Sequence, residues 1–392
     1  MLSADVRRDL ERLAAIVRGS ATEGEAEAAR LLSEMLTQRG LDPIFEQETV
    51  VGGYWQSTGL AAATSVLAGV LGGRSRRAGA LLAAGAAALM ADDVDNGVHL
   101  LRRALPRRTT TNLLAWAGDP NAPETVVIVA HHDAAHTGLL FHPGLVALVN
   151  RVAPGWYAKQ TTSTHTGCLL VLGPALVALS SALGLRRLRR FGTCWSAATA
   201  AVLADVARSP VVAGANDNLS AVAVLLAMAE EFVKHPATGV RLLLLSTGSE
   251  ESFMEGMRGF VRRHRSELDP ASTRFLALEC VGSPHLILIE GEGMLRMRDY
   301  DSSLRDELQA AADEVEVDLW RGLRLGAGGT DALPALRSGY RSACIAACTD
   351  LKVPANYHWK TDVPENLCWG TIERAALVAT RLVRRVGEAQ AG

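Results

Sequence analysis

The sequence of 392 residues lacks the features that mark several large classes of protein. Its six cysteines form no C-x-x-C pair and no spaced framework, which favours reduced thiols in a cytosolic or membrane setting. A net charge of −2 gives no electrostatic basis for binding nucleic acid, so we expect no nucleic-acid partner. The N-terminal stretch MLSADVRRDLERLAAIVRGS is charged and amphipathic, and it lacks the apolar region of a secretory signal.

Charge is also absent from four stretches that form two similar pairs. These stretches are residues 50–73, 78–91, 161–185 and 191–204. The first two flank the arginine-rich RSRR, and the last two flank RRLRR. Each pair is therefore predicted to form an apolar helical hairpin with arginines at its corner. The longer stretches reach the roughly 20 residues that span a bilayer, whereas the shorter ones, of about 14 residues, do not.

Two interpretations of these insertions remain open. In the first, residues 54–92 and 138–207 are inserted regions, and the stretches 54–92 and 161–207 associate with a membrane as transmembrane hairpins. Tyr54 and Trp55 would then suit the membrane interface. In the second, the hairpins pack on the rest of the domain or on a second subunit.

The orientation in a membrane is also left open by the sequence. Arginines lie at both ends of the first hairpin, with Arg102, Arg103, Arg107 and Arg108 at the far end, so the positive-inside rule does not choose. Because no export signal is found, we expect a multi-pass membrane protein whose main domain is cytoplasmic. A soluble cytoplasmic protein is the alternative.

Outside the insertions, strand and helix patterns alternate along the chain. Strands are predicted at 109–117, 124–133, 239–251, 273–282, 285–293 and 340–348, and helices at 4–18, 23–39, 218–235, 302–314 and 369–387. Thr22 is expected to cap the second helix, with Glu25 as its capping-box partner. This alternation predicts one α/β domain whose mainly parallel sheet is covered by helices on both faces. In such sheets, polar residues after the strands build the site.

In the stretch VVIVAHHDAAHTG, an apolar strand is followed directly by two histidines and an aspartate, whose side chains are costly to bury. In an extended segment, His131 and Asp133 lie on the same side and His132 points the other way. His131 is therefore a candidate metal ligand, and Asp133 is a candidate for orienting it.

Four further stretches of the sequence carry carboxylate or imidazole groups, and each group has two possible interpretations. Asp217 is a helix cap or a ligand, and His358 is a surface histidine or a ligand. The adjacent Glu250 and Glu251 form an exposed pair, or else one binds a cation and the other acts as general base. Glu279 lies within an apolar strand, where a carboxylate is costly unless paired or metal-bound.

Taken together, two histidines and three carboxylates suit two divalent ions of the zinc type with one bridging carboxylate. Such a pair of ions lowers the pKa of a shared water and polarises a carbonyl oxygen. The combination therefore predicts a hydrolytic metal site.

Six motifs follow one another in the order of a known family. They are AHHDAAHTG, GANDNLSAVAVLLAMAE, STGSEESFMEGMRGF, LALECVGS, GGTDALPALRSGY and YHWKTDVPENL. Their series resembles the co-catalytic zinc aminopeptidases related to bacterial leucyl aminopeptidase, with glutamate carboxypeptidase and glutaminyl cyclase as relatives. The similarity covers the helices before residue 50 and then residues 108–136 and 210–385, but not the apolar insertions.

The resemblance implies a fold and an activity. The fold is a three-layer αβα zinc-exopeptidase domain with a mixed, mainly parallel sheet, to which the two apolar hairpins are added. The activity is that of a metallopeptidase, and the expected type is an aminopeptidase that acts on peptides or amino-acid amides. Its cofactors would be two Zn²⁺ ions, with Co²⁺ or Mn²⁺ as other possible metals.

The resemblance also implies a role for each site residue. The implied metal ligands are His131 and Glu279 for one ion, Glu251 and His358 for the other, and Asp217 as the bridge, often with a cis peptide bond to Asn218. Glu250 would be the general base for a water activated by the two metals, and Asp133 would support His131.

Some features depart from the family pattern or have no role in it. Glu279 stands where many members have aspartate, and GGTD stands where Ser-Asp-His is common, so the role of Asp331 is open. His132 and His136 are read as local polar contacts or substrate-facing groups. Two other functions remain alternatives: a glutaminyl cyclase-like enzyme or amidohydrolase, and a membrane scaffold or receptor with a vestigial peptidase domain. The substrate side chain and the oligomeric state are not determined by the sequence.

Overall fold

The computed structural model describes residues 2–163 and 165–391. Its strands are β1 (Ile44–Val50), β2 (Arg108–Gly118), β3 (Thr125–His131), β4 (Arg241–Thr247), β5 (Thr273–Glu279), β6 (His285–Leu288), β7 (Gly291–Glu292), β8 (Arg298–Asp299), β9 (Arg324–Leu325) and β10 (Arg341–Cys348). In the described residues, seven of them form one sheet in the order β1-β2-β4-β3-β5-β10-β6. A small second sheet has the order β8-β7-β9.

The centre of the large sheet is parallel and its edges are antiparallel. β3 pairs in parallel with β4 and with β5, and β5 pairs in parallel with β10. β1 and β2 on one side, and β6 on the other, run antiparallel to their neighbours. The predicted mixed α/β sheet is confirmed, with a larger antiparallel share than expected. The carboxyl ends of β3, β4 and β5 meet at one edge, and this edge carries the candidate site.

Helices connect and cover these strands. They are α1 (Ala4–Ala14), α2 (Glu23–Gln38), α3 (Tyr54–Leu71), α4 (Arg76–Val94), α5 (Gly144–Val152), α6 (Pro154–Ala158), α7 (Thr166–Leu183), α8 (Arg186–Arg208), α9 (Ser220–Lys234), α10 (Glu255–Arg263), α11 (Ser302–Glu314), α12 (Ala332–Arg337) and α13 (Trp369–Ala391).

The alternation of side chains along β3 explains the three layers. Val126 and Ile128 belong to a buried cluster with residues of α1, α2, α9, α11 and α13. Val127 and Val129, which point to the opposite face, belong to a second cluster with Phe260 of α10 and residues of α12. Because both faces are covered, β3 is buried along its whole length, as is usual for a central parallel strand.

The two apolar insertions are helical and pack together as a four-helix bundle of α3, α4, α7 and α8. Their two turns lie side by side: the Arg76 guanidinium donates to the Ala182 carbonyl at 2.6 Å, and that of Arg189 donates to the Gly72 carbonyl at 2.8 Å. Among the described residues, only α7 is by itself long and apolar enough to cross a membrane. One such helix is weak support for the expected multi-pass protein.

Candidate metal centre

Two histidines lie on either side of one carboxylate. His131 ends β3, His358 lies in the loop before α13, and Asp217 precedes α9. His131 Nε2 is 3.3 Å from Asp217 Oδ1, and His358 Nε2 is 3.1 Å from Asp217 Oδ2. The two oxygens of one carboxylate therefore face different imidazoles, which is the arrangement of a bridging ligand. The peptide bond from Asp217 to Asn218 is cis, as the resemblance implied.

A further carboxylate lies beside each imidazole. Glu279 Oε1 is 3.5 Å from His131 Nε2, and Glu251 Oε2 is 3.3 Å from His358 Nε2. Ligands held tetrahedrally by zinc at about 2.0–2.1 Å lie roughly 3.3 Å apart. Within the described part of the chain, His131 Nε2 and Glu251 Oε1 are buried without a hydrogen-bond partner. The donor types and their spacing therefore fit ions of zinc size.

Glu250 lies next to these donors and belongs to neither pair. It directly follows the turn after β4, and its Oε2 is 3.8 Å from His131 Nε2. Its side chain also lines the cavity that opens onto the cluster. This position suits a group that exchanges protons with a molecule held at the metal site.

Asp133 contacts both the imidazole of His131 and the backbone of the two adjacent glutamates. Its Oδ1 is 3.4 Å from His131 Nδ1 and accepts from the Glu250 backbone N–H at 3.0 Å. Its Oδ2 accepts from the Glu251 backbone N–H at 3.2 Å and from the Ser20 hydroxyl at 2.6 Å. The Asp133 backbone carbonyl lies 3.2 Å from His131 Nδ1, so both its main chain and its side chain contact the imidazole. The carboxylate also fixes the backbone of both glutamates, which the sequence did not indicate.

Glu25 performs a role that sequence reasoning missed. Thr22 caps α2 as predicted, but the buried Glu25 carboxylate points to the site. It accepts from the Ser249 backbone N–H at 2.7 Å and from the Thr110 hydroxyl at 2.8 Å. Ser249, with a φ of 51°, is in the left-handed region, so these bonds hold an unfavourable backbone turn directly before Glu250.

We expect Glu25→Ala to destabilise the protein by about 1–3 kcal/mol, because buried donors on Thr110 and Ser249 lose their acceptor. Burial raises the pKa of Glu25 to about 8, so the group is protonated at neutral pH and glutamine is its close mimic. Glu25→Gln should therefore stay near the parent in stability and in turnover. Urea unfolding and kcat measurements on the parent protein and the two variants test this prediction. Equal losses of stability and turnover in the two variants would contradict it.

Asp362 and Arg18 hold the backbone segment that carries Asp217. The Asp362 carboxylate accepts from the backbone N–H of Asn216 at 2.6 Å and of Asp217 at 3.1 Å. The fully buried Arg18 donates to the Gly214 carbonyl at 2.7 Å. Asp362 belongs to the motif that follows His358, whereas nothing in the local sequence singles out Arg18.

The pKa shifts of the cluster reflect carboxylates crowded into a buried site. Burial raises the pKa of Glu250 well above its usual range and that of Glu279 to about 7. Burial alone would lower the pKa of both imidazoles, but the neighbouring carboxylates prevail. Glu279 helps to raise the pKa of His131, and Glu251 helps to raise that of His358 to about 10. Bound metal must displace these protons, so metal affinity should fall as the pH is lowered.

Three residues without an assigned role lie around this cluster. His132 points away from it and its Nδ1 is 3.0 Å from the Ser246 hydroxyl, so it is a local polar contact. The His136 ring packs on Trp55 at 4.6 Å, at the base of the bundle. Asp331 accepts from the Thr247 hydroxyl, and burial raises its pKa to about 6. Asp331 is thus close enough to Glu250 to add to the rise of the Glu250 pKa.

A cavity of about 730 Å³ leads to the cluster. Part of its wall is apolar and belongs to the sheet side, with Ile287 as an example. Another part comes from the second insertion, where α5 and α6 contribute Val149 and Trp156. The Phe141 ring lies 4.4 Å from the His358 ring. The second insertion therefore forms a wall of the site as well as half of the bundle.

Comparison with known proteins gives a family match for part of the chain. Residues 198–383 match the family model described as peptidase family M28. The chain contains an M28 peptidase domain. The matched region includes Asp217, Glu250, Glu251, Glu279 and His358, and it begins after His131. Among curated proteins, none matches the chain.

Solved structures extend the likeness to the whole chain at the level of the fold. A glutaminyl cyclase from Bacteroides thetaiotaomicron is 11% identical, with a TM-score of 0.57 and 98% of each chain covered. A zinc aminopeptidase from Bacillus subtilis is 15% identical, with a TM-score of 0.56 and 98% of this chain and 95% of that chain covered. An aminopeptidase from Aneurinibacillus sp. strain AM-1 is 14% identical, with a TM-score of 0.56 and coverages of 98% and 94%.

The M28 domain identifies the chain as a metallopeptidase, a hydrolase of peptide bonds, and supports zinc as its metal. The expected resemblance to zinc exopeptidases and the predicted fold class are thereby confirmed. The ligand set, the number of ions and the specific aminopeptidase activity are proposals, which rest on the geometry of the site.

Proposed function

We propose that the M28 domain is a two-zinc aminopeptidase that acts on peptides or amino-acid amides. The observation that carries this proposal is the Asp217 carboxylate, whose oxygens face His131 and His358 at 3.3 and 3.1 Å. Glu279 would complete the site at His131, and Glu251 would complete the site at His358. Co²⁺ and Mn²⁺ suit the same donors.

Zinc held by these residues would supply a water molecule of lowered pKa and would polarise the scissile carbonyl. Glu250 accepts the proton of the attacking water and delivers it to the leaving amine. Asp133 accepts from the Glu250 backbone N–H and keeps the base beside the site.

The basic residues of the cavity bear on which end of a substrate it can hold. Its acidic lining includes the metal-centre carboxylates. Its two basic residues are already engaged: Lys352 Nζ donates to the Ala158 and Gln160 carbonyls at 2.8 and 2.7 Å, and Arg324 pairs with Asp299. A substrate carboxylate therefore finds no free lysine or arginine among the described lining residues, which favours a substrate that is not held by a terminal carboxylate.

We expect the purified protein to contain about two zinc ions per chain and to hydrolyse amino-acid amides and dipeptides. A chelator should abolish hydrolysis, and zinc, cobalt or manganese should restore it. N-acetylated copies of the same substrates are the matched control and should react far more slowly. Equal rates on acetylated and free substrates would contradict recognition of the amino terminus, and activity without metal would refute the metallopeptidase mechanism.

A glutaminyl cyclase-like enzyme or another amidohydrolase is the second candidate, favoured by the likeness to glutaminyl cyclases. Metal content separates the two, because the cyclase-like enzymes work with one zinc. Ammonia released from a peptide with N-terminal glutamine, without release of free amino acid, would favour cyclisation. A vestigial domain in a membrane scaffold or receptor is disfavoured because the full set of donors is present.

We also propose that residues 54–92 and 161–207 associate with a membrane. The support is the apolar surface of the bundle, where Leu67 is 62% exposed and Leu81 is 76% exposed. Alkaline carbonate washing should leave the protein in the membrane pellet, and full release into the supernatant would contradict this proposal.

A further inference from the structure

The four-helix bundle has small residues inside and large apolar residues outside. The buried positions of α3 are Ser57, Thr58, Ala61, Ala62, Ser65, Ala68 and Gly69, and those of α7 are Gly167, Gly173, Pro174, Val177, Ser180 and Ser181. Exposed apolar side chains include Leu60, Leu67, Val70, Leu71, Leu81, Leu82, Leu169, Leu179, Leu183 and Phe191. A bundle in water has the opposite arrangement, because its large apolar side chains form the core.

The contacts between these helices are those that hold helices together in lipid. A Cβ atom on Gly69 would lie 1.9 Å from Thr193 Oγ1, so only glycine permits this approach of α3 to α8. The buried hydroxyls of Ser65 and Ser196 are hydrogen-bonded at 2.9 Å between the same two helices. Close packing of small residues and hydrogen bonds between serines replace the hydrophobic effect where the surroundings are apolar.

The dimensions and the distribution of the apolar surface fit a bilayer. α3 and α7 have 18 residues, α4 has 19 and α8 has 23. At 1.5 Å per residue α3 and α7 are about 27 Å long, close to the hydrocarbon thickness of roughly 30 Å. The uncharged parts of α4 and α8, residues 78–91 and 191–204, are about 21 Å long, and the charged residues at their ends would lie in the headgroup region. Exposed apolar side chains occur on all four helices, so a second copy of the chain, which covers one side, would leave the rest in water.

The two ends of the bundle are different. The near end rests on the peptidase domain, where Tyr54 stacks on Phe253 with ring centroids 5.1 Å apart. At the far end the two turns meet, and they carry Arg74, Arg76, Arg77, Arg186, Arg187, Arg189 and Arg190. No acidic residue occurs between residues 49 and 92 or between residues 160 and 205. This cationic end suits the anionic headgroups of a membrane surface.

The structure also resolves the orientation that the sequence left open. Arg102, at the near end, is buried in an ion pair with Asp93 at 2.7 Å. Arg103, Arg107 and Arg108 are exposed, but they belong to the long segment between α4 and α7. In the 20 residues before α3 the single basic residue is Arg39. The segments after α4 and after α8 are longer than the roughly 60 residues within which the positive-inside rule applies. The short arginine turns are therefore the charges that set the orientation.

We propose that the bundle of α3, α4, α7 and α8 spans a bilayer with its arginine turns on the cytoplasmic side and the metal centre on the opposite side. This placement replaces the cytoplasmic domain expected from the missing export signal. The inference rests on the membrane association proposed above and is independent of the catalytic activity.

Cysteine labelling in intact cells tests the orientation. Ala78→Cys marks the exposed first turn of α4 beside the arginines, and Ala271→Cys marks an exposed loop of the peptidase domain. Both are made in the full chain after Cys168, Cys194 and Cys368, the thiols that are not buried, have been replaced by alanine or serine. A membrane-impermeant maleimide is applied before and after permeabilisation, and each sample is also washed with alkaline carbonate.

The expected result is labelling of Ala271→Cys in intact cells, labelling of Ala78→Cys only after permeabilisation, and retention of both in the pellet. The reverse pattern with retention in the pellet would overturn the orientation and leave membrane association standing. Equal labelling of both sites before permeabilisation, or release by carbonate as a soluble oligomer, would overturn the spanning bundle itself.

Discussion

Glu250→Gln is expected to lower kcat by about 10²- to 10⁴-fold, the range typical for loss of a general base. The glutamine side chain has the same shape but cannot accept the proton of the attacking water. Glu250 belongs to neither histidine–carboxylate pair, so the zinc content should be unchanged. Steady-state kinetics with an amino-acid amide and metal analysis of the same preparation measure both quantities.

The neighbouring Glu251→Gln is the matched control, because it makes the same chemical change one residue away. Glu251 Oε2 lies 3.3 Å from His358 Nε2, so this variant should lose zinc as well as activity. A Glu250→Gln enzyme that keeps its turnover would remove the general-base assignment. Loss of zinc from Glu250→Gln would instead assign Glu250 to the ligand set.

Asp217→Asn is expected to lower the affinity for both zinc ions by more than 100-fold, beyond the roughly 10- to 100-fold effects of residues that only orient a ligand. Each Asp217 oxygen faces one imidazole. In asparagine a neutral NH₂ group replaces one of these oxygens, so one of the two metal positions loses its carboxylate oxygen. Hydrolysis should fall in parallel with the metal. Titration of the metal-free protein with zinc, followed by calorimetry, measures the two affinities.

Asp331→Asn is the control for this change, since Asp331 is also a buried aspartate near the centre but bonds to the Thr247 hydroxyl. It should keep both ions. Unchanged zinc stoichiometry in Asp217→Asn would refute the bridging role. Loss of a single ion, with the other bound normally, would show that Asp217 serves one site only.

The types of the site residues and the order of their motifs along the chain could be predicted from the sequence, because each motif depends on local chemistry. An apolar strand that ends in His131 and Asp133, or an acidic pair after the run LLLLST, is unusual without a cation nearby. The alternation of strands and helices likewise gave the α/β class. The antiparallel edges of the sheet were not readable, because strand order depends on contacts between distant segments.

The supporting residues of the centre required tertiary structure for the same reason. Glu25 looked like a helix-capping residue, since the helical pattern around it is complete without any reference to Ser249. Arg18 carries no local signal, because its partner Gly214 is nearly two hundred residues away in the chain. Such roles depend on which side chains the folded sheet brings within hydrogen-bond distance.

The sequence by itself determined which segments are apolar, which strands end in ligand-type side chains, and the order of the motifs, because these properties depend on neighbours along the chain. Only the tertiary structure decided that Asp217 lies between His131 and His358 and that the bundle turns its serines and glycines inward. Both depend on distances across space. The packing of strands and helices sets those distances, and hydropathy along the chain does not encode them.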